Sequence, residues 1–130
     1  MATITEIFDE LTTTLASVVP GLTRSTEVDI EAIPRSALPA IVWVVASVTP
    51  DDTTPVRMKL ELEGVLILPL TRTKGALDEA FQTAVNALNT LHSSSLSTAI
   101  LTSVSITHLT LDASLNALLV PFSISLTACL

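Results

Sequence analysis

His108 and Asp112 lie four residues apart in a chain rich in serine, and together these are the side chains a nucleophilic hydrolase would use. In that chemistry the imidazole takes the serine proton and a carboxylate holds the imidazole in the productive tautomer. A nucleophilic serine of this kind commonly sits on a sharp turn flanked by glycines. The chain has only 3 glycines, and no serine sits in such an elbow. His108 therefore reads as an ordinary strand residue near a turn. Zinc chemistry fares no better, because His92, His108 and Cys129 stand apart without the short spacings that zinc ligands use. Asp51 and Asp52 are able to touch a hard cation, but no glycine-bearing calcium loop surrounds them, and turn chemistry accounts for them. Phosphate loops and dinucleotide fingerprints need glycine clusters that are absent. No catalytic residue, metal ligand or cofactor is expected, and the chain does not read as an enzyme.

One stretch does carry a pattern. In "VRMKLELEGVLILPLTR", Met58, Leu60 and Leu62 alternate with Arg57, Lys59, Glu61 and Glu63. Period-two alternation places the four charged side chains on one face of a strand. That face is either a solvated sheet surface or a charged contact between identical subunits, where alternating signs set register. After Gly64 the alternation stops, and Val65, Leu66, Ile67 and Leu68 are apolar on both faces. One face of that run suits a domain core. The other needs a cover, supplied either by a neighbouring subunit, the favoured reading, or by the irregular segment from Leu22 to Pro39. Arg57, Lys59, Glu61, Glu63, Val65, Leu66, Ile67 and Leu68, with Asp51 and Asp52 at the turn, form the candidate interface with a subunit or partner.

Composition narrows the partners. The chain has 130 residues, which suits one domain spanning 1–130, and a formal net charge of -7. Gripping a phosphate backbone needs clustered Lys and Arg, and stacking bases needs aromatics; only 6 basic residues, 3 Phe and 1 Trp are present. Nucleic acid sliding past an acidic wall remains compatible. Mean hydropathy is high, at +0.63. No run approaches the ~20 apolar residues of a membrane helix, and no membrane partner is expected. The acidic N-terminus does not read as a signal peptide, and the lone Cys129 suits a reducing compartment.

The elements that must position these residues emerge from periodicity. "TITEIFDELTTTLASVVPG" reads as an amphipathic helix with Ile4, Ile7 or Phe8, Leu11, Leu15 and Val18 on one face. Thr3 and Glu6 fit a capping box, and Pro20-Gly21 a stop. Thr12, Thr13 and Thr14 are expected to face solvent. The irregular segment includes Val28, Ile30 and Ile33 as a short extended piece. Residues Ala40 to Val48 read as a strand, Thr49 to Pro55 as a turn, and the charged stretch as a returning strand of about 13 residues, or ~43 Å. That length predicts an overhang past the sheet, with Gly64 as a bulge or bend. A second helix is expected over Lys74 to His92, with Leu77, Phe81, Val85 (or Ala84), Leu88 and Leu91 as its apolar stripe. Two strands close the chain. "AILTSVSITHLTL" sets Ile100, Thr102, Val104, Ile106 and His108 against Leu101, Ser103, Ser105, Thr107 and Leu109. "LLVPFSISLTACL" points Leu118, Val120, Phe122, Ile124, Leu126 and Ala128 to its apolar side.

The order is α-β-β-α-β-β: an α+β fold, mostly antiparallel, with two helices packed on one face and a long protruding β-hairpin. From "ITEIFDELTTTLASVVPG" through the "PDD" hairpin tip and "ALDEAFQTAVNALNTLH" to "NALLVPFSISLTACL", the chain resembles the tail terminator (tail-completion) proteins of long-tailed bacteriophages. The resemblance lies in the order and size of elements. It implies a structural virion protein in the tail or neck, made in the host cytoplasm. It further implies a homo-oligomer, a hexameric ring capping the tail tube, meeting a neck or head-completion protein and leaving a central channel for DNA. Other expectations are another neck or tail component (connector, stopper or tube protein) and a small ligand-binding or regulatory module that dimerises through its hairpin.

Overall fold

A computed structural model describes residues 2–27, 29–50, 57–106, 108–112 and 116–130. Helix α1 (Ile4–Ala16) opens at Thr3, whose hydroxyl accepts the Glu6 N–H at 3.1 Å. Strand β1 (Thr23–Arg24) and two single 3-10 turns (Ile30–Ala32 and Arg35–Ala37) lead to the hairpin strands β2 (Ala40–Pro50) and β3 (Met58–Pro69). Helix α2 (Ala76–Ser93) follows, then β4 (Ile100–Ile106), β5 (Thr110–Asp112) and β6 (Ala117–Ala128). The six strands form one mixed sheet in the order β1-β2-β3-β6-β4, with β5 also on β6. Every pairing is antiparallel except β1 with β2. The sequence-derived α+β architecture is the one observed, with both helices on one face.

Alternation in the two central strands builds the core. Leu60, Leu62, Leu66 and Leu68 of β3 lie level with Leu126, Ile124, Val120 and Leu118 of β6, and all are buried. Ile7, Leu11 and Leu15 of α1 and Leu91 of α2 close over them in one apolar cluster. Burying one such side chain stabilises by about 1.5–3 kcal/mol, so this layer dominates the fold. The length of β3 does not produce an overhang past its neighbour. Met58 to Pro69 pair without interruption with Ala128 to Ala117, because β6 is equally long.

Gly64 is neither bulge nor bend. It stays in register between Trp43 and Phe122, and the Trp43 indole lies on it. The hairpin's irregularity falls instead in β2, between Val45 and Ser47, and a second falls in β4, between Leu101 and Ser103. A bulge adds one residue and reverses the phase of the strand beyond it. Leu101, Val104 and Ile106 therefore share the helix-covered face, while Ile100, Ser103 and Ser105 share the other. The simple alternation expected for this strand holds only beyond the bulge.

Helix α2 buries the expected stripe in part: Leu91 and the alternative Ala84 are in the core and Phe81 and Leu88 pack against it, but Leu77 and Val85 do not. Ala80, Ala84, Ala87 and Leu91 are buried, Phe81 and Leu88 are half-buried, and Leu77 and Val85 are exposed. The face toward α1 and the sheet is thus centred on alanines, with Phe81 and Leu88 at its border and Leu77 and Val85 outside it. In α1, the Thr12 hydroxyl donates to the Phe8 carbonyl at 2.8 Å and accepts the Trp43 indole N–H at 3.0 Å, so Thr12 is not simply solvent-facing.

Candidate functional site

The face of the sheet away from the helices divides into a covered half and an open half. In the covered half, Ala40 and Val42 of β2, Ile67 of β3 and Ala117 of β6 meet Ile33 from the irregular segment in a second apolar cluster, with Ile30, Leu38, Val65 and Leu119 at its edge. The cover expected from another subunit is supplied by the chain's own residues 30–38. Arg35 fastens it: its guanidinium donates to the Leu70 carbonyl at 2.7 Å and the Asn116 carbonyl at 3.0 Å. Asn116 Nδ2 also donates to the Leu70 carbonyl, at 2.9 Å. Leu66 and Leu68 face the helices and are buried, Ile67 is buried beneath the segment, and Val65 is half-buried. None of these four is therefore a free contact residue in the isolated chain.

The open half carries Lys59, Glu61 and Glu63, all exposed. Arg57 precedes β3 and is half-buried, at the rim of a shallow recess. Each charged residue of β3 lies in a row across the sheet. Glu61 is level with Ser47, Ser125 and Ser103; Glu63 with Val44, Ser123 and Ser105; Lys59 with Thr49, Thr127 and Ile100. Apart from Val44 and Ile100, the flanks are hydroxyls. Ser125 Oγ donates to Glu61 Oε2 at 2.9 Å. The result is a surface of carboxylates, one ammonium and short hydroxyl groups. Within it, Lys59, Glu61, Thr102, Ser125 and Thr127 line a hollow of about 320 Å³. Asp51 and Asp52 lie outside the described residues.

The recess, of about 380 Å³, opens between the N-terminus, the start of β3 and the end of β6. Glu6, Arg57, Ser97, Thr98, Thr127 and Cys129 are among its lining residues. Beside it, Glu10 ties α1 to the linker before β4. Its carboxylate accepts the Ser97 N–H at 2.7 Å, the Thr98 N–H at 3.1 Å, the Thr98 hydroxyl at 3.0 Å and the Ser97 hydroxyl. Partial burial raises the Glu10 pKa, but the Ser97 and Thr98 hydrogen bonds outweigh it and hold the carboxyl below its ordinary value. Sequence reasoning missed this latch, because its partners are 87 and 88 residues apart.

His108 is exposed, and neither it nor Asp112 lines the recess. Among the described residues, no group of three or more His, Cys, Asp and Glu side chains is placed to hold a metal ion. No described helix is long and apolar enough to cross a membrane.

The distribution of charge over the strands is unusual. Lys59, Glu61 and Glu63 all lie in β3, an interior strand, whereas β2, β4 and β6 carry no charged residue. Sheets commonly place charge on their edge strands to prevent pairing with other chains. The absence of charge in Ala40–Pro50 and Ile100–Ile106 was readable in the sequence; that β4, and β2 beyond its short pairing with β1, lie at the edges was not. No protein-family description matches the chain, and no curated protein matches it.

Proposed function

We propose that this chain is a structural virion protein, a tail terminator whose copies form a ring at the end of a phage tail tube and leave a channel for DNA. The observation that carries the reading is the contrast between the two faces of the sheet. Both helices lie on one face, and the open part of the other presents Glu61, Glu63, Lys59 and rows of serine and threonine. With the helices outward, that face lines the channel. On a wall with more carboxylates than cations, repulsion from Glu61 and Glu63 opposes the contacts that Lys59 and the hydroxyl groups offer to phosphates, so DNA is not held and slides past it. The resemblance of the sequence to tail terminators, in the order and size of its elements, supports the same reading.

The test is the mass of the purified protein over a range of concentrations, paired with negative-stain images. The expected particle is an open ring of six copies, roughly 80 kDa from a 13.7 kDa chain in closed cyclic symmetry. Added to tail tubes of the phage that carries this sequence, it caps one end. A monomer or dimer at every concentration that also leaves those tubes uncapped overturns the reading.

A further inference from the structure

We propose that the outer edge of β2 in one copy of this chain pairs with the outer edge of β4 in the next, so that the sheet continues from subunit to subunit. The proposal deepens the ring reading and depends on it only for closure of the assembly.

The two edges match in extent. Strand β1 covers β2 only at Ala40 and Ile41, and the Ser25 N–H donates to the Ile41 carbonyl. Beyond that, no described residue pairs with the outer side of β2 from Trp43 to Thr49. On the far side of the sheet, β4 has β6 as its only strand partner among the described residues. The registers place both edges at the same height. Thr49, Lys59, Thr127 and Ile100 form one row, and Trp43, Gly64, Phe122 and Ile106 form another. Each free edge is thus about seven residues long, or roughly 23 Å at 3.3 Å per residue.

Their chemistry matches as well. An unpaired edge presents a row of backbone donors and acceptors that another strand satisfies. Neither free edge carries a charge, and exposed apolar side chains mark both, with Val44 52%, Val48 43% and Ile100 52% accessible. Proline at the end of β2 and one bulge in each strand are the only protective devices present among the described residues. The occupant is a second copy because the chain supplies both halves of the contact. The strands alternate in direction through β2, β3, β6 and β4, so β4 runs opposite to β2. A copy rotated about the ring axis keeps its strand directions, and the new pair is antiparallel, the more stable ladder. Pairing unlike edges is head-to-tail, which uses both edges of every copy and closes into a ring when the rotation permits.

The experiment uses the full chain with Cys129→Ser, so that only introduced thiols react. One protein carries Ser47→Cys on β2, and three others carry Ile100→Cys, Ser103→Cys or Ser105→Cys on the same face of β4. Opposed residues in an antiparallel pair fall within disulfide reach, so oxidised mixtures should give a covalent dimer for at least one β4 position. No β4 variant should give it alone, and a chain carrying both cysteines should give a ladder of multimers. Dimer from Ser47→Cys alone, or none in any mixture, overturns the proposal. Lysine at the edges provides an independent reading. Val44→Lys and Ile100→Lys should each retain the wild-type circular dichroism and lose the large assembly. Mixed, they should recover heterodimers, since each keeps one intact edge. Unchanged mass in both variants overturns the pairing. Cross-links in open chains uphold the pairing and reject the ring; rings without cross-links do the reverse.

Discussion

Trp43 Cε3 and Cζ3 each lie 2.5 Å from where a Cβ on Gly64 would stand. The indole also stacks on Phe8, at 6.1 Å between centroids with an 8° interplanar angle. Arg24 lies over the Phe8 ring at 4.9 Å. The absence of a side chain at Gly64 is therefore what lets the sheet, α1 and β1 meet around one aromatic pair.

Gly64→Ala should consequently destabilise the fold by about 1–3 kcal/mol, the usual cost of overpacking a tight site. Trp43→Leu in the same chain should remove the clash and make the pair non-additive. Urea denaturation of the two single variants and the double variant measures the coupling. Additive effects would mean that the indole moves aside at little cost.

Glu10 makes the fold sensitive to acid. Its folded pKa lies below the ordinary value, so its contribution to stability is present above the unfolded pKa of about 4.3. That contribution is lost as pH falls through the folded pKa. Glu10→Gln should lower the urea midpoint at neutral pH and reduce the loss of stability on acidification. Equal pH slopes in wild type and variant would exclude Glu10 as the group responsible.

Arg35 should hold the segment over Val42 and Ile67. Arg35→Ala removes the charge-assisted hydrogen bonds to the Leu70 and Asn116 carbonyls, which being exposed to water are worth about 1 kcal/mol each. The expected result is faster proteolysis between residues 25 and 39, with hydrogen exchange rising at Ile67 and Val42 before it rises in the α1 core. Uniform loss of protection would indicate that the segment opens only with the whole fold.

Charge and core positions in β3 should separate cleanly. Leu66→Asp places a carboxylate at a fully buried position and should unfold the chain, since an unpaired buried charge is among the costliest single changes. Glu61→Lys with Glu63→Lys should leave the circular dichroism and any ring unchanged, because both positions are exposed. Under the proposed function the doubly reversed chain should still assemble into tails but slow DNA release, read as delayed genome ejection in vitro. Unaltered ejection would remove these side chains from the channel wall.

Local periodicity determined a good deal. The alternation of β6 from Leu118 to Ala128, the buried face of α1 and the shared face of Lys59, Glu61 and Glu63 were all legible, because side-chain direction in a regular element depends only on its own repeat. Where the repeat breaks, that information ends. The bulges in β2 and β4 reverse which side chains face inward, and nothing in the residues beside Ala46 or Thr102 marks them. Helix α2 offers two apolar stripes, and only the spacing between packed layers selects the alanine stripe over Leu77 and Val85. The cover over Ile67, the Glu10 latch and the level placement of the two uncharged edges are long-range pairings. Each joins residues far apart in sequence, so each is settled only when the whole sheet has formed.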